Sequence, residues 1–117
     1  MGDVGYLARG MFRNRRLLDL AHGIDTCQNC GSQRTEGMDP AHSNLDEHGK
    51  GKGLKAHDCF WAALCFACHA WLDNSGGRAF DPSGRFHWDR DGKREMFLRA
   101  MHKTWLLLWQ TGKLRIA

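Results

Sequence analysis

Two Cys-x-x-Cys pairs, Cys27/Cys30 in "CQNC" and Cys65/Cys68 in "CFAC", constrain this chain more than any other feature. Each pair has the spacing at which one turn presents two sulfurs to a single metal ion, and two such pairs complete a four-thiolate zinc site. Redox dithiols and unliganded buried cysteines are the alternatives. A reducing compartment disfavours disulfides and leaves metal binding as the better reading of paired cysteines. The gap between the pairs exceeds the ~15–20 residues of a compact zinc ribbon. The insertion holds most of the unusual polar residues, and His69 follows Cys68 with no gap. A structural zinc needs the thiolates and not that histidine, so His69 requires its own explanation.

A chain of 117 residues, 42% hydrophobic, is expected to form one domain over 1–117 with a small core. Metal or partner subunits often reinforce domains of this size. The net charge of +4 permits a nucleic-acid partner without demanding one. The opening "MGDVGYLARGMFRNRR" is polar and basic rather than of signal-peptide type. No apolar run approaches the ~20 residues of a membrane helix. A cytoplasmic location without membrane association is therefore expected, and there the odd cysteine, Cys59, reads as a small buried hydrophobe.

Along the chain there is no repeat and no low-complexity tract. Residues Tyr6 to Ala21 place Leu7, Met11, Leu17, Leu18 and Leu20 among Arg9, Arg13, Arg15 and Arg16. That pattern predicts a short basic amphipathic helix, or two turns broken near Gly10. "GIDTCQNCGS" reads as a knuckle whose backbone amides fold back on the thiolates. "RTEGMDPAHSN" predicts a short strand or hairpin arm, and "DEHGKGKG" a loop. Asp58 reads as an N-cap, with a helix from about Cys65 to Leu72 ended by Gly76 and Gly77. "RFHWDRDG" is either a short strand or irregular. From Lys93 to Gln110, Phe97, Met101, Trp105 and Leu108 recur at helical spacing beside Ala100 and Trp109, which predicts a packing helix stopped at Gly112.

A helix over Cys65–Asp73 sets His69 and Asp73 at i and i+4 on one face, where an imidazole nitrogen and a carboxylate can share a divalent cation. A histidine on a facing strand, with His42 the candidate in "DPAHSN", can then take a proton from water. A base to activate water and a metal to offset charge on phosphate are what phosphodiester hydrolysis requires. Each residue also has an ordinary reading: His42 as a surface or core histidine, His69 as a group behind the zinc, Asp58 as a cap and Asp73 as a helix-end residue. In "GKGKGLK", Lys50, Lys52 and Lys55 with interleaved glycines suit phosphate contact, although the spacing is not that of a Walker-type loop. His48, His57, His87 and His102 receive no role.

The segments "AHSN", "HGKGKGLKAHD" and "AALCFACHAWLD" resemble the YbcO-like group of small prophage proteins, themselves similar to HNH (His-Me finger) endonucleases. Phage recombination-associated nucleases share the layout. The likeness spans about Cys27 to Asp73, with a weaker echo in "HKTWLLLWQTGKLRIA". It implies an α+β fold: a zinc-stabilised ββα-metal (HNH, treble-clef-like) core over about 25–76, flanked by an N-terminal helix and a packing helix at about 93–111. It implies His42 as general base and His69 as ligand of a catalytic Mg²⁺ or other divalent ion, with Cys27, Cys30, Cys65 and Cys68 holding structural Zn²⁺. The chain departs from the family pattern in two places. Ala41 stands where many HNH enzymes carry Asp or His, and the central Asn is missing, with Asp58 at about that position. Asp58 would orient His42 or bind metal, and Asp73 would replace the missing ligand.

The expected function is a phage or prophage DNA endonuclease acting in recombination or DNA processing in the bacterial cytoplasm. Its substrate backbone would be held by Lys50, Lys52, Lys55, Arg13, Arg15 and Arg16, and a recombinase or other DNA-processing protein is a candidate partner. Two rivals remain. One is a non-catalytic zinc module that binds nucleic acid. The other is a recombinase adaptor anchored through Trp71, Trp88 and Trp109, residues for most of which core packing is the simpler use.

Overall fold

The structure, a computed structural model, describes residues 10–51 and 53–116. The expectations for Tyr6, Leu7, Arg9 and Lys52 lie outside the described residues. The architecture is α+β. A short helix α1 (Arg15–Asp19) runs into a 3-10 turn (Leu20–Gly23), followed by the first cysteine knuckle and strand β1 (Asp39–His42). A second 3-10 turn (Asp46–His48) precedes strand β2 (Trp61–Leu64), helix α2 (Phe66–Asp73) and the long helix α3 (Arg90–Gln110).

β1 and β2 pair antiparallel, with Asp39 opposite Leu64, Pro40 opposite Ala63, Ala41 opposite Ala62 and His42 opposite Trp61. All four residues of β2 are buried, so its outer edge cannot leave polar groups to water. Two neighbours close that edge. The Ala63 N–H donates to Thr104 Oγ1 of α3 at 3.0 Å, and the Ala63 carbonyl accepts from the Gln28 N–H of the knuckle at 2.9 Å. With both polar groups of Ala63 turned away from β1, Pro40 can sit opposite without loss, because no ladder donor is required there. α3 lies against β2 and buries Met96, Phe97, Ala100, Met101, Thr104 and Leu108. The two alanines of β2 keep the strand surface low enough for this packing. Gly37, at φ +90°, turns the chain from the knuckle into β1; a Cβ there would stand 2.2 Å from the His22 carbonyl oxygen.

Several boundaries differ from the sequence reading. Helix α1 begins only at Arg15, capped by Asn14 Oδ1 on the Leu17 N–H at 3.1 Å. Residues 12–14 instead run along 55–58: the Phe12 N–H donates to His57 Nδ1 at 2.9 Å, and the Asp58 N–H donates to the Phe12 carbonyl at 2.9 Å. Asp58 is not an N-cap, because β2 intervenes before the next helix and Cys65 caps α2 through the Cys68 N–H. α3 starts at Arg90 rather than Lys93 because Asp89 accepts from the Gly92 N–H at 2.8 Å. Trp109 does not join the packed face and is 47% exposed. "RFHWDRDG" forms no strand, only an isolated bridge between Phe80 and His87 before α3 begins. Among the described residues, no helix is long and apolar enough to cross a membrane.

The closed edge of β2 gives a direct test. Thr104→Val removes the acceptor for a buried N–H and should cost about 1–3 kcal/mol in chemical denaturation. Thr111→Val removes an exposed hydroxyl that only meets the Leu107 carbonyl and should stay within about 0.5 kcal/mol. Equal losses would refute the edge-closing role.

Candidate functional site

The four cysteines of the two pairs come together in space, with all four sulfurs within 4.8 Å of one another. Cys27 and Cys30 sit on the knuckle, Cys65 at the end of β2 and Cys68 in the first turn of α2. Cys30 Sγ and Cys65 Sγ are 3.7 Å apart, close to the edge of about 3.8 Å that follows from tetrahedral Zn–S bonds of ~2.3 Å. The donor set therefore fits a structural metal ion such as zinc. Backbone amides fold back on the sulfurs as expected, with the Asn29 N–H 3.4 Å from Cys27 Sγ and the Cys68 N–H 3.4 Å from Cys65 Sγ. As free thiols, four groups this close cannot all ionise. The hydrogen bond from Cys68 holds Cys27 down at about 4, while that same bond and burial push Cys68 up. Burial also raises Cys30. A cation among the sulfurs removes this conflict by favouring all four thiolates.

A second layer braces the cluster, and the sequence reading did not find it. Asn29 Nδ2 donates to Cys68 Sγ at 3.3 Å and to Asp81 Oδ2 at 2.6 Å. Asp81 is 4% exposed and accepts from the Ser83, Arg85 and Phe86 N–H groups. Burial disfavours its charge, but these donors outweigh burial and hold its carboxyl below the usual range. The available signal was "DPSG", with Asp, Pro and Gly at the positions a type I turn favours. It marks the turn but not its contact with the knuckle.

Beside the cluster lies an open cleft of about 520 Å³ lined by Pro40, His42, Ser43, Asn44, Lys50, Lys55, His69 and Asp73. Five residues picked from the sequence therefore share one wall system. His42 ends β1, and its Nε2 meets Asp58 Oδ1 at 2.8 Å. Asp58 is 3% exposed and also accepts from the Asn14 N–H at 2.7 Å, with Arg13 Nη1 at 3.5 Å. Burial opposes its charge, yet the bonds from His42 and Asn14 and the Arg13 guanidinium leave its carboxyl below the usual range. A carboxylate accepts, so Nε2 of His42 donates to Asp58, and in the neutral ring the other nitrogen, Nδ1, is an acceptor.

His69 stands between two carboxylates: Nε2 is 3.4 Å from Asp73 Oδ2 and Nδ1 is 3.5 Å from Asp39 Oδ2. The Asp73 contact, reinforced by Asp39 and against burial, raises the His69 pKa, and the same contact lowers that of Asp73. Asn44 Nδ2 donates to Asp73 Oδ1 at 3.1 Å. Asp39 and Asn44 were missed. Neither residue has a helical spacing to His69; only the β1–α2 packing brings Asp39 there. The 3.4 Å between His69 Nε2 and Asp73 Oδ2 matches the edge of a tetrahedron with arms of ~2.1 Å and is wider than the ~3.0 Å edge of an octahedral Mg²⁺ site. Among the described residues, the four cysteines alone form a ready group of three or more metal-type ligands.

The remaining predicted contacts fall in different places. Lys50 and Lys55 line the cleft. Arg13 stays exposed while its guanidinium meets the Phe12, Ala56 and Lys55 carbonyls and Asp58. Arg15 pairs with Asp19 on the surface, and Arg16 is exposed. Cys59 is half-buried, and its carbonyl accepts from the Trp105 indole at 3.2 Å. His48 stacks on Phe60 at 4.2 Å and meets Ser43 Oγ at 2.6 Å, which shapes the loop after β1. No protein-family model matches the chain, and no match was found among curated proteins or solved structures.

The Asp58 network predicts an acid-dependent stability. Its folded pKa lies below the unfolded value of ~3.9, so its contribution is full above that value and fades as pH falls through the folded pKa. Asp58→Asn should cost about 1–3 kcal/mol at pH 7, and the gap to wild type should narrow below about pH 4. A gap that stays constant from pH 7 to acid, followed by denaturant unfolding, would contradict the assignment.

Proposed function

We propose that this chain is a metal-dependent DNA endonuclease of phage or prophage type, acting in DNA recombination or processing. The observation that carries the reading is the His42–Asp58 pair opening onto the same cleft as His69, Asp73 and two lysines. The order strand, strand, helix around the cysteine cluster is that of a ββα-metal core, which supports an HNH-like reading together with the sequence resemblance.

In this reading the cluster takes Zn²⁺ and is purely structural. Asp58 holds His42 in the Nε2–H tautomer, so Nδ1 is the atom that accepts a proton from water. His69 Nε2 and Asp73 would hold a divalent ion such as Mg²⁺, which when bound supplies positive charge at the scissile phosphate and leaving oxygen. Asp39 keeps His69 oriented through Nδ1, and Asn44 does the same for Asp73. Lys50 and Lys55 meet the phosphate backbone at the cleft wall, joined outside it by Arg15 and Arg16. One observation favours a second reading, a non-catalytic zinc module that binds nucleic acid. Both nitrogens of His69 face carboxylates, an arrangement that a protonated histidine satisfies without any ion.

A nicking assay on plasmid and single-stranded DNA, with Mg²⁺, Mn²⁺ and Zn²⁺ added separately, separates the two. Wild type should cleave, and His42→Ala should lose at least about 10²-fold in rate at unchanged zinc content. Cleavage unchanged in His42→Ala would refute the mechanism. DNA binding without scission in any metal would select the binding module.

A further inference from the structure

A second, smaller hollow of about 150 Å³ adjoins the cleft. Its walls are Asn44, Leu45, Leu72, Arg90, Lys93, Arg94 and Phe97. Asn44 belongs to both spaces and donates to Asp73 across the partition. The two therefore share a side chain that touches one of the residues proposed to hold the ion.

The chemistry of the hollow is specific. Leu45 is half-buried and gives the hollow an apolar side, while Leu72 and Phe97, 5% and 2% exposed, form a floor fixed by the core. A cavity of about this volume lined by Leu and Phe admits one benzene-sized ring. The rim is cationic. Arg94 is tied to Glu47 by a two-pronged ion pair, with Nη1 3.0 Å from Oε1. Lys93 Nζ lies 5.5 Å from the Trp71 ring centre, a contact that leaves its charge available. The Arg90 guanidinium, 93% exposed, has only a loose contact to Asp91 at 3.8 Å. An apolar slot for one flat ring, beneath two cations and beside a lysine-lined cleft, complements a base attached to a phosphate backbone. A paired base cannot enter, because its ring faces are stacked within the duplex.

We infer that this hollow is a subsite for one unpaired nucleobase, seated against Leu45 over the floor that Leu72 and Phe97 form, with its flanking phosphates at Arg90 and Lys93. The inference rests on the nuclease reading for its orientation toward the cleft and specifies the substrate of that site as DNA with an unpaired nucleotide next to the cleaved bond.

The test is a binding measurement without added divalent ion, so that cleavage does not enter. Full-length protein is titrated with oligothymidylate, with an abasic phosphodiester strand of the same length, and with a duplex of that length, all at one salt concentration. Oligothymidylate should bind about tenfold tighter than the abasic strand and tighter than the duplex. Leu45→Phe, which fills the slot, should erase the gap between the two single strands. Arg90→Glu, at an exposed position, should weaken both strands alike. Equal affinity of wild type for thymidylate and abasic strands would overturn the subsite, as would a gap that survives in folded Leu45→Phe. Should Leu45→Phe fail to fold, the wild-type comparison still decides. A base-dependent gap in a protein that never nicks DNA would keep the subsite and sink the nuclease reading; nicking without the gap would do the reverse.

Discussion

The meeting of four sulfurs is the constraint on which the rest of the structure depends. Cys27 and Cys30 come from a knuckle, and Cys65 and Cys68 from the junction of β2 and α2, so the cluster ties distant parts of the chain at one point. The same knuckle closes the outer edge of β2 through Gln28, and Asn29 reaches from it to Cys68 and to the buried Asp81. Structural zinc in small domains contributes about 10–16 kcal/mol of apparent binding free energy. The whole stability of a typical domain is about 5–15 kcal/mol. A two-stranded sheet of four-residue strands cannot stand alone in water. Here it is held by α3 on one side and by the cysteine clamp at its end.

The cleft inherits its geometry from that clamp. Cys65 caps α2 and Cys68 lies in its first turn, so the residue after Cys68 is fixed in direction by the cluster, and His69 faces Asp39 and Asp73 as a consequence. His42 is fixed from the opposite end. It closes β1 in register with Trp61 and is held by Asp58. Asp58 is in turn clasped by Asn14 and Arg13 from the N-terminal segment. The adjacency of Cys68 and His69 thus has a physical sense: one helical turn carries both a ligand of the cluster and a side chain of the neighbouring cleft.

Much of this arrangement was legible in the sequence, and the exceptions follow a pattern. The cysteine pairs were legible because metal-ligand spacing is a local property. α2 and α3 were legible because helical periodicity is local as well, and the grouping of His69 with Asp73 follows from the i, i+4 rule. Asp58 was misread as a cap because an acidic residue before an apolar run looks the same whether a helix or a buried strand follows. "WAAL" carries no alternation, since both of its faces are covered. Asp39, Asn44, Asn29 and Asp81 escaped notice because their partners are brought to them only by tertiary packing. Arg13 was assigned to the DNA backbone by its charge, whereas in the structure its guanidinium meets Asp58 and the Phe12, Lys55 and Ala56 carbonyls. The proposed HNH-like nuclease reading rests on motif likeness and on the chemistry of the cleft.

The most direct test of the account is X-ray absorption spectroscopy at the zinc edge on the purified chain, combined with elemental analysis before and after chelation. The account predicts one zinc per chain, four sulfur neighbours at ~2.3 Å, and loss of cooperative unfolding once the metal is stripped. Absence of bound metal, or a shell dominated by oxygen and nitrogen with the fold intact after chelation, would contradict it.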